Sequence, residues 1–233
     1  MQQVVSLSFF RFGSVSARLW AFAMMGLARG PMGRTPDVGF WKLCGSGTGE
    51  GFNLRPNWSV YAILATWPDA DTAQREIARG VFERYRRKSS EDWTVFLAPT
   101  SVRGDWSGVQ PFVPRAQPAA GPIAALTRAS VKPGMARQFW SRVPNISAVI
   151  GTDPSVLFKL GIGEKPLVQQ VTFSIWPDAS AMHNFARTGP HAEAIKSVRR
   201  DGWFSEELYA RFALVGDSGT WGGRSPLDPK ETL

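Results

Sequence analysis

Two histidines and one cysteine are the only imidazole and thiol side chains in these 233 residues. His183 and His191 both lie in the stretch from Ala181 to Ile195, where Gly189-Pro190 is the pattern that ends one helix and begins another. His191 then falls in the first turn of the new helix. The positive end of that helix, with any burial, disfavours imidazolium and leaves the neutral ring that binds metals. The same position equally suits a surface or half-buried helix residue. A single histidine is enough to ligate haem iron, the one metal cofactor so small an inventory could hold. Trp20, Met24, Met25, Phe139, Trp140, Phe185, Trp203 and Phe204 could line a large apolar pocket around it, or serve as ordinary core. Cys44 is alone, which excludes an intramolecular disulfide, a zinc finger and a cysteine-ligated iron–sulfur cluster, and fits a reducing compartment.

Other motifs fail on inspection. The segment from Gly45 to Gly51 is glycine-rich and follows a strand, but another strand follows it, with Pro56 between. A dinucleotide turn must open a helix, and a P-loop needs Gly-Lys-Ser/Thr, so the segment reads as a hairpin lip. Trp67-Pro68-Asp69 and Trp176-Pro177-Asp178 match the acid-loop tripeptide of tyrosine phosphatases. That chemistry needs an Arg at the sixth position after its Cys, and here Cys44 is followed there by Glu50. No Gly-X-Ser-X-Gly elbow or His-Glu-X-X-His pair occurs. Segments 57–66 and 167–176 lack the aromatic box with which RNA-recognition modules stack bases, so nucleic acid is not the expected partner. What remains is chemistry carried by an organic or haem cofactor.

The elements that must position these residues come in two similar sets. Trp67-Pro68-Asp69-Ala70 recurs as Trp176-Pro177-Asp178-Ala179, each after an apolar or β-branched run, with Gly80 and Gly189 at matching distances. Trp41-Lys42-Leu43 and Phe158-Lys159-Leu160 match upstream, as do Ala17-Arg18 and Ala136-Arg137, all in the same order. Each set reads strand, helix, hairpin, helix, strand. The strands are expected over 4–12, 38–44, 57–66 and 92–98, then over 122–131, 155–162, 167–176 and 207–215. The first helices are expected over 15–29 and 133–142. Asp69 and Asp178 are placed to cap the second helix of each set. The fold class is therefore α+β: a duplicated ferredoxin-like βαββαβ repeat forming a dimeric α/β-barrel-type fold. Residues 1–100 make the first half, 101–121 a linker, 122–215 the second half with the cofactor ligand, and 216–233 an irregular tail. Under this alignment His191 stands where the first half has Phe82, and His183 where it has Gln74.

Composition sets the surroundings. Hydrophobic residues make up 43% of the chain, with 15 Phe and 10 Trp, so a large core can form. Lys and Arg number 27 against 19 Asp and Glu, a net charge of +8 that attracts acidic proteins or an anionic membrane face. The basic cluster from Arg84 to Lys88 also reads as a solvated helix end. The longest nearly apolar run, Leu19 to Ala28, is about half of what a bilayer-crossing helix needs. The N-terminus carries no basic leader pattern, so a soluble or peripheral protein is expected.

The runs Phe40 to Gly47, Ile63 to Asp69, Thr94 to Gly104, Phe173 to Asp178 and Asp201 to Phe212 resemble the spheroidene monooxygenase family of acyclic-carotenoid ketolases. The likeness covers nearly the whole chain except the segment around 110–121 and the tail. It implies a haem b enzyme that oxygenates C-2 of spheroidene and gives spheroidenone through a 2-hydroxy compound. It further implies dioxygen as oxidant, ferredoxin as electron donor, and a cytoplasmic protein associated peripherally with the photosynthetic (inner) membrane. The family also resembles a wider dimeric α/β-barrel haem group that includes aldoxime dehydratases. That likeness implies His191 as the iron ligand and attaches no motif to His183. The alternative is a non-catalytic barrel protein that binds haem or a carotenoid.

Overall fold

The computed structural model describes residues 2–48, 55–117, 121–135, 155–165, 168–187 and 202–228. His191, most of the helix expected over 133–142 and the tip of the glycine-rich segment lie outside the described residues. The chain divides into two compact units: Met1–Leu43, Trp58–Ala98 and Leu214–Leu233 form unit 1, and Cys44–Asn57 and Pro99–Ala213 form unit 2.

Unit 1 is built around β1 (Val4–Arg11), whose side chains are buried on both faces except Arg11 at its end. Such a strand must sit inside a sheet covered on both sides. It pairs antiparallel with β3 (Pro56–Trp67), Val4 opposite Trp67, and with β4 (Glu91–Gly104), Val5 opposite Leu97. The start of β2 (Trp41–Gly47) lies beside β3, giving the order β4-β1-β3-β2. Helix α1 (Val15–Leu27) begins where Ser14 Oγ accepts a hydrogen bond from the Ala17 amide at 3.2 Å, and runs on into the short α2 (Arg29–Gly33). Helix α3 (Ala70–Ile77) begins where Asp69 accepts from the Thr72 amide at 2.8 Å, as the motif predicts. Helix α4 (Gly80–Lys88) ends in Arg86, Arg87 and Lys88, so the basic cluster does sit at a helix C-terminus. The core between sheet and helices is aromatic. The rings of Phe10, Phe12, Trp20, Tyr61 and Tyr85 meet at centroid distances of 5.2–6.1 Å, and Trp67 lies 6.0 Å from Phe82.

Unit 2 holds β5 (Ile123–Val131), β6 (Phe158–Gly163), β7 (Gln169–Trp176), α5 (Ala179–Arg187) and β8 (Phe204–Gly219) up to Ala213. Its sheet is antiparallel with the order β8-β5-β7-β6, and Ile123 stands opposite both Trp176 and Ala213. Asp178 caps α5 by accepting from the Ala181 amide at 2.8 Å.

Three elements differ in extent from the sequence reading. The glycine-rich segment begins as strand, with Gly45 opposite Gly163 and Ser46 opposite Ile162. β4 continues through Pro99 to Gly104, into the segment read as a linker, and β8 continues to Gly219, into the segment read as an irregular tail. These long ends are held by partners remote in sequence. Thr100 Oγ1 donates to the Arg211 carbonyl at 3.0 Å, and the Thr220 amide donates to the Asp92 carbonyl at 2.8 Å. Gly104 packs against the Glu207 carbonyl with no room for a Cβ, at a φ of 88° that favours glycine.

Candidate functional site

The register of unit 2 sorts its side chains onto two unlike faces, because successive residues of a strand point to opposite sides. One face carries Leu126, Phe173, Leu160 and Ala210 in neighbouring positions, all buried. On the other, Ile123 and Trp176 pack with Met182, Ala181 and Phe185 of α5, the Trp176 and Phe185 rings 5.0 Å apart. Beyond that contact the same face falls to small side chains. Ala125 pairs with Ser174, Thr127 with Thr172, and Gly161 stands opposite Thr172 on β6. Ala129 continues the row on β5. Ala125, Thr127 and Thr172 are half-buried rather than closed over. The result is a short row of small side chains on β5, β7 and β6, bounded on the same face by Lys159 opposite Ser174, Gln170 opposite Ala129 and Tyr209 opposite Thr127. Lys159 and Arg211 stand at the two ends of the Ser174–Ala125 row, opposite Ser174 and Ala125 respectively. A flat, largely apolar ligand bearing anionic groups fits such a floor, and haem is a ligand of that shape and charge.

The buried face holds a charge instead. Arg128 lies on β5 among apolar neighbours with 1% of its side chain exposed, and forms an ion pair with Glu206 of β8. Ser107 and Gly108 occupy a tight turn with φ of 57° and 74°, closed by the Trp106 amide donating to the Val109 carbonyl at 2.8 Å. Their amides donate to the Glu206 carboxylate at 3.1 and 2.7 Å. Trp106 stacks toward the Arg128 guanidinium, 5.8 Å from its ring centroid, and donates from Nε1 to Glu164 at 2.6 Å. Desolvation pushes the Glu206 carboxyl up. The Gly108 and Ser107 amides and the Arg128 guanidinium together outweigh it and hold the group below the ordinary glutamate value. A buried charge survives only when paired and hydrogen-bonded in this way. Sequence reading missed this cluster. Its one local signal is a lone Arg in an apolar strand, and its partner lies 78 positions away.

The proposed ligands and pocket residues are distributed unevenly. His183 is described: it is half-buried on α5, one residue past Met182 of the apolar cluster. His191 lies outside the described residues, as do Phe139 and Trp140. Trp20, Met24 and Met25 belong to the packed core of unit 1, while Phe185 and the buried Trp203 belong to unit 2. Among the described residues no group of three or more His, Cys, Asp or Glu could hold a metal ion. In unit 1 the Tyr85 hydroxyl is buried with no hydrogen-bond partner, and burial pushes it well above the usual phenol range; burial raises Tyr61 as well.

Comparison with known proteins decides the family. The chain is 52% identical over 230 residues to the spheroidene monooxygenase of Cereibacter sphaeroides, covering 97% of this chain and 71% of that one. It is 50% identical over 233 residues to the spheroidene monooxygenase of Rhodobacter capsulatus, covering 97% and 96%. The chain belongs to the spheroidene monooxygenase family. A third member, from Rubrivivax gelatinosus, is 35% identical over 90% of this chain and 81% of its own. No family model matches. Among solved structures, two aldoxime dehydratases share the fold with TM-scores of 0.63 and 0.61, each at 9% identity and over 91% of this chain, covering 80% and 82% of their own. That likeness concerns the fold alone. Membership of the spheroidene monooxygenase family agrees with the resemblance read from the sequence, and the mixed α/β architecture agrees with the expected class.

Proposed function

We propose that the protein is a carotenoid monooxygenase that oxygenates C-2 of spheroidene, with dioxygen as oxidant and reduced ferredoxin as electron donor. Identity of 50–52% over 97% of the chain with two proteins of that name carries this reading. We also read the two units as copies of one ferredoxin-like repeat. Their strand orders, and the capping of α3 and α5 by Asp69 and Asp178, support this.

Haem, when bound, supplies the activation of dioxygen that amino-acid side chains cannot provide. The residues of this chain would hold it and aim the substrate. Ala125, Thr127, Ala129, Thr172 and Ser174 offer a floor on which a flat ring can lie close to the sheet. Lys159 and Arg211 would meet its carboxylates, and His191 is the ligand we assign to the iron. Insertion at C-2 replaces one hydrogen by hydroxyl, with two electrons and two protons reducing the second oxygen atom to water. A second round at the same carbon gives a gem-diol that loses water to the ketone, so the reading passes through the 2-hydroxy compound. The acyclic polyene has no charged handle, so an apolar lining must select the position.

The test is an absorption spectrum followed by turnover. The purified protein should show a Soret band and, with reduced ferredoxin, should convert spheroidene only under oxygen. Labelled dioxygen should appear at C-2 of the 2-hydroxy product. Bound carotenoid with no Soret band and no turnover would make the protein a pigment carrier instead. Raised salt should slow ferredoxin-supported turnover, because exposed charges are screened over about 8–10 Å at moderate ionic strength.

A further inference from the structure

Helix α1 is apolar apart from Ser16 and Arg18 in its first turn, and only one side of it is packed against the core. Ala21, Met24 and the neighbouring Ala28 are buried against the core of unit 1, with Ala17, Trp20 and Met25 partly so. The opposite side carries Val15, Leu19, Phe22 and Leu27, which are 71, 65, 55 and 70% exposed. At 100° per residue these positions, with Ala23 and Gly26, fall on one outward arc. Trp58 extends the patch from β3: its ring is 51% exposed and meets Phe22 edge-on at 5.1 Å. A contiguous exposed apolar patch of this kind marks a contact surface for a membrane or a protein.

The charge around the patch has one sign. Residues 2–36 contain Arg11, Arg18, Arg29 and Arg34 and no Asp or Glu. Arg11 is neutralised by Glu91 at 2.9 Å. Arg18 and Arg29 donate to the carbonyls of Phe12, Gly13 and Met25, and among the described residues no carboxylate pairs with either. No helix among the described residues is long and apolar enough to cross a membrane. An apolar arc flanked by arginines and an exposed tryptophan is the pattern of a helix lying in the plane of a lipid interface.

We propose that the outer face of α1, with Trp58, is the surface on which this protein docks to a bilayer containing anionic lipid. This deepens the membrane contact expected of a carotenoid enzyme by assigning it to five named side chains. It also explains how a water-insoluble polyene could be taken up without release into water.

The test is co-sedimentation with phosphatidylcholine vesicles made with and without phosphatidylglycerol, read with no substrate or donor present. The unaltered protein should bind the anionic vesicles, and salt should weaken that binding. Leu19→Ser/Phe22→Ser/Leu27→Ser should lose at least tenfold in vesicle affinity with an unchanged melting temperature, since these side chains project outward. Arg29→Gln/Arg34→Gln should lose several-fold on anionic vesicles and little on neutral ones. Triple-variant binding equal to the unaltered protein overturns the proposal. So does a concentration-dependent dimer that the triple variant abolishes, which would make the face an interface between copies. With carotenoid in detergent micelles the triple variant should turn over normally, so a failure of docking and a failure of the monooxygenase reading give different results.

Discussion

The two sheets share a strand order and fill one face differently at several matching positions. Counted from the pairs Val4–Trp67 and Ile123–Trp176, Phe10 of unit 1 corresponds to Ala129 of unit 2, Ile63 to Thr172, and Tyr61 to Gln170. In unit 1 these positions are large and are locked by Phe12, Trp20 and Tyr85 into a closed aromatic core. In unit 2 they are small or polar, while Ala125 and Thr127 stand where unit 1 has the equally small Ser6 and Ser8. Each removed ring trades packing energy for room, and a buried Phe is worth about 3–5 kcal/mol relative to Ala. One sheet fills these positions with packed rings, while on the other we place the proposed ligand.

Substitutions can break that contrast in turn. The largest effect is expected from the proposed ligand: His191→Ala should abolish the Soret band and turnover, while His183→Ala should keep most of both. The reverse pattern would move the iron ligand to α5. Next come paired changes on the two floors. Thr127→Trp should cut haem uptake at least tenfold and shift the melting temperature by only a few degrees. Phe10→Ala should cost about 3–5 kcal/mol, or roughly 6–20 °C at about 2–4 °C per kcal/mol, with haem uptake per folded molecule unchanged. If Phe10→Ala emptied the cofactor site and Thr127→Trp did not, the assignment of roles would be reversed.

A smaller effect concerns the charge under the second sheet. Glu206→Gln leaves Arg128 with a neutral partner and should cost about 1–3 kcal/mol at pH 7. The carboxyl of Glu206 is held below its ordinary value, so its contribution is fully present above about pH 4.3. That contribution fades as the pH falls through the lower, folded value. Urea titrations across pH 3 to 7 should therefore show a flatter acid limb for Glu206→Gln than for the unaltered protein. The smallest effect has the opposite sign. Tyr85→Phe removes a buried hydroxyl that has no partner and should raise stability by up to about 1 kcal/mol, read as roughly 2–4 °C in a melting curve. A loss instead would show that the hydroxyl contributes something the packing does not reveal.

Features governed by local spacing were legible in the sequence. The apolar run of β1, the Ser14 start of α1 and the aspartate caps of α3 and α5 each depend on residues within a few positions. Features closed over long distances were not. Pro99 and the following polar residues signal a strand end, yet β4 continues because Thr100 finds the Arg211 carbonyl. Trp106 sits in a segment rich in Pro and Gly and is nonetheless fully buried, because its ring meets Arg128 and its indole meets Glu164. The small-residue floor was hidden for a different reason. Ala, Thr and Ser satisfy a strand pattern as well as larger residues do, and only the register shows that they share a face. His191 could be named from the sequence through its helix-start pattern and the family likeness, and it lies outside the described residues.

The pairing of Arg128 with Glu206 also sets a clock. The two are separated by 78 positions, and the turn at Ser107 and Gly108 has nothing to grip until Glu206 arrives. A ribosome adding about 5–20 residues per second needs roughly 4–16 s to cover that distance. Throughout that interval β5 carries a guanidinium that cannot be buried without its counter-charge, so the strand must wait in water or in the care of a chaperone. A chain interrupted before Phe204 would hold that charge without its Glu206 partner. The ion pair thus ties the burial of β5 to the arrival of β8, a strand made long after it.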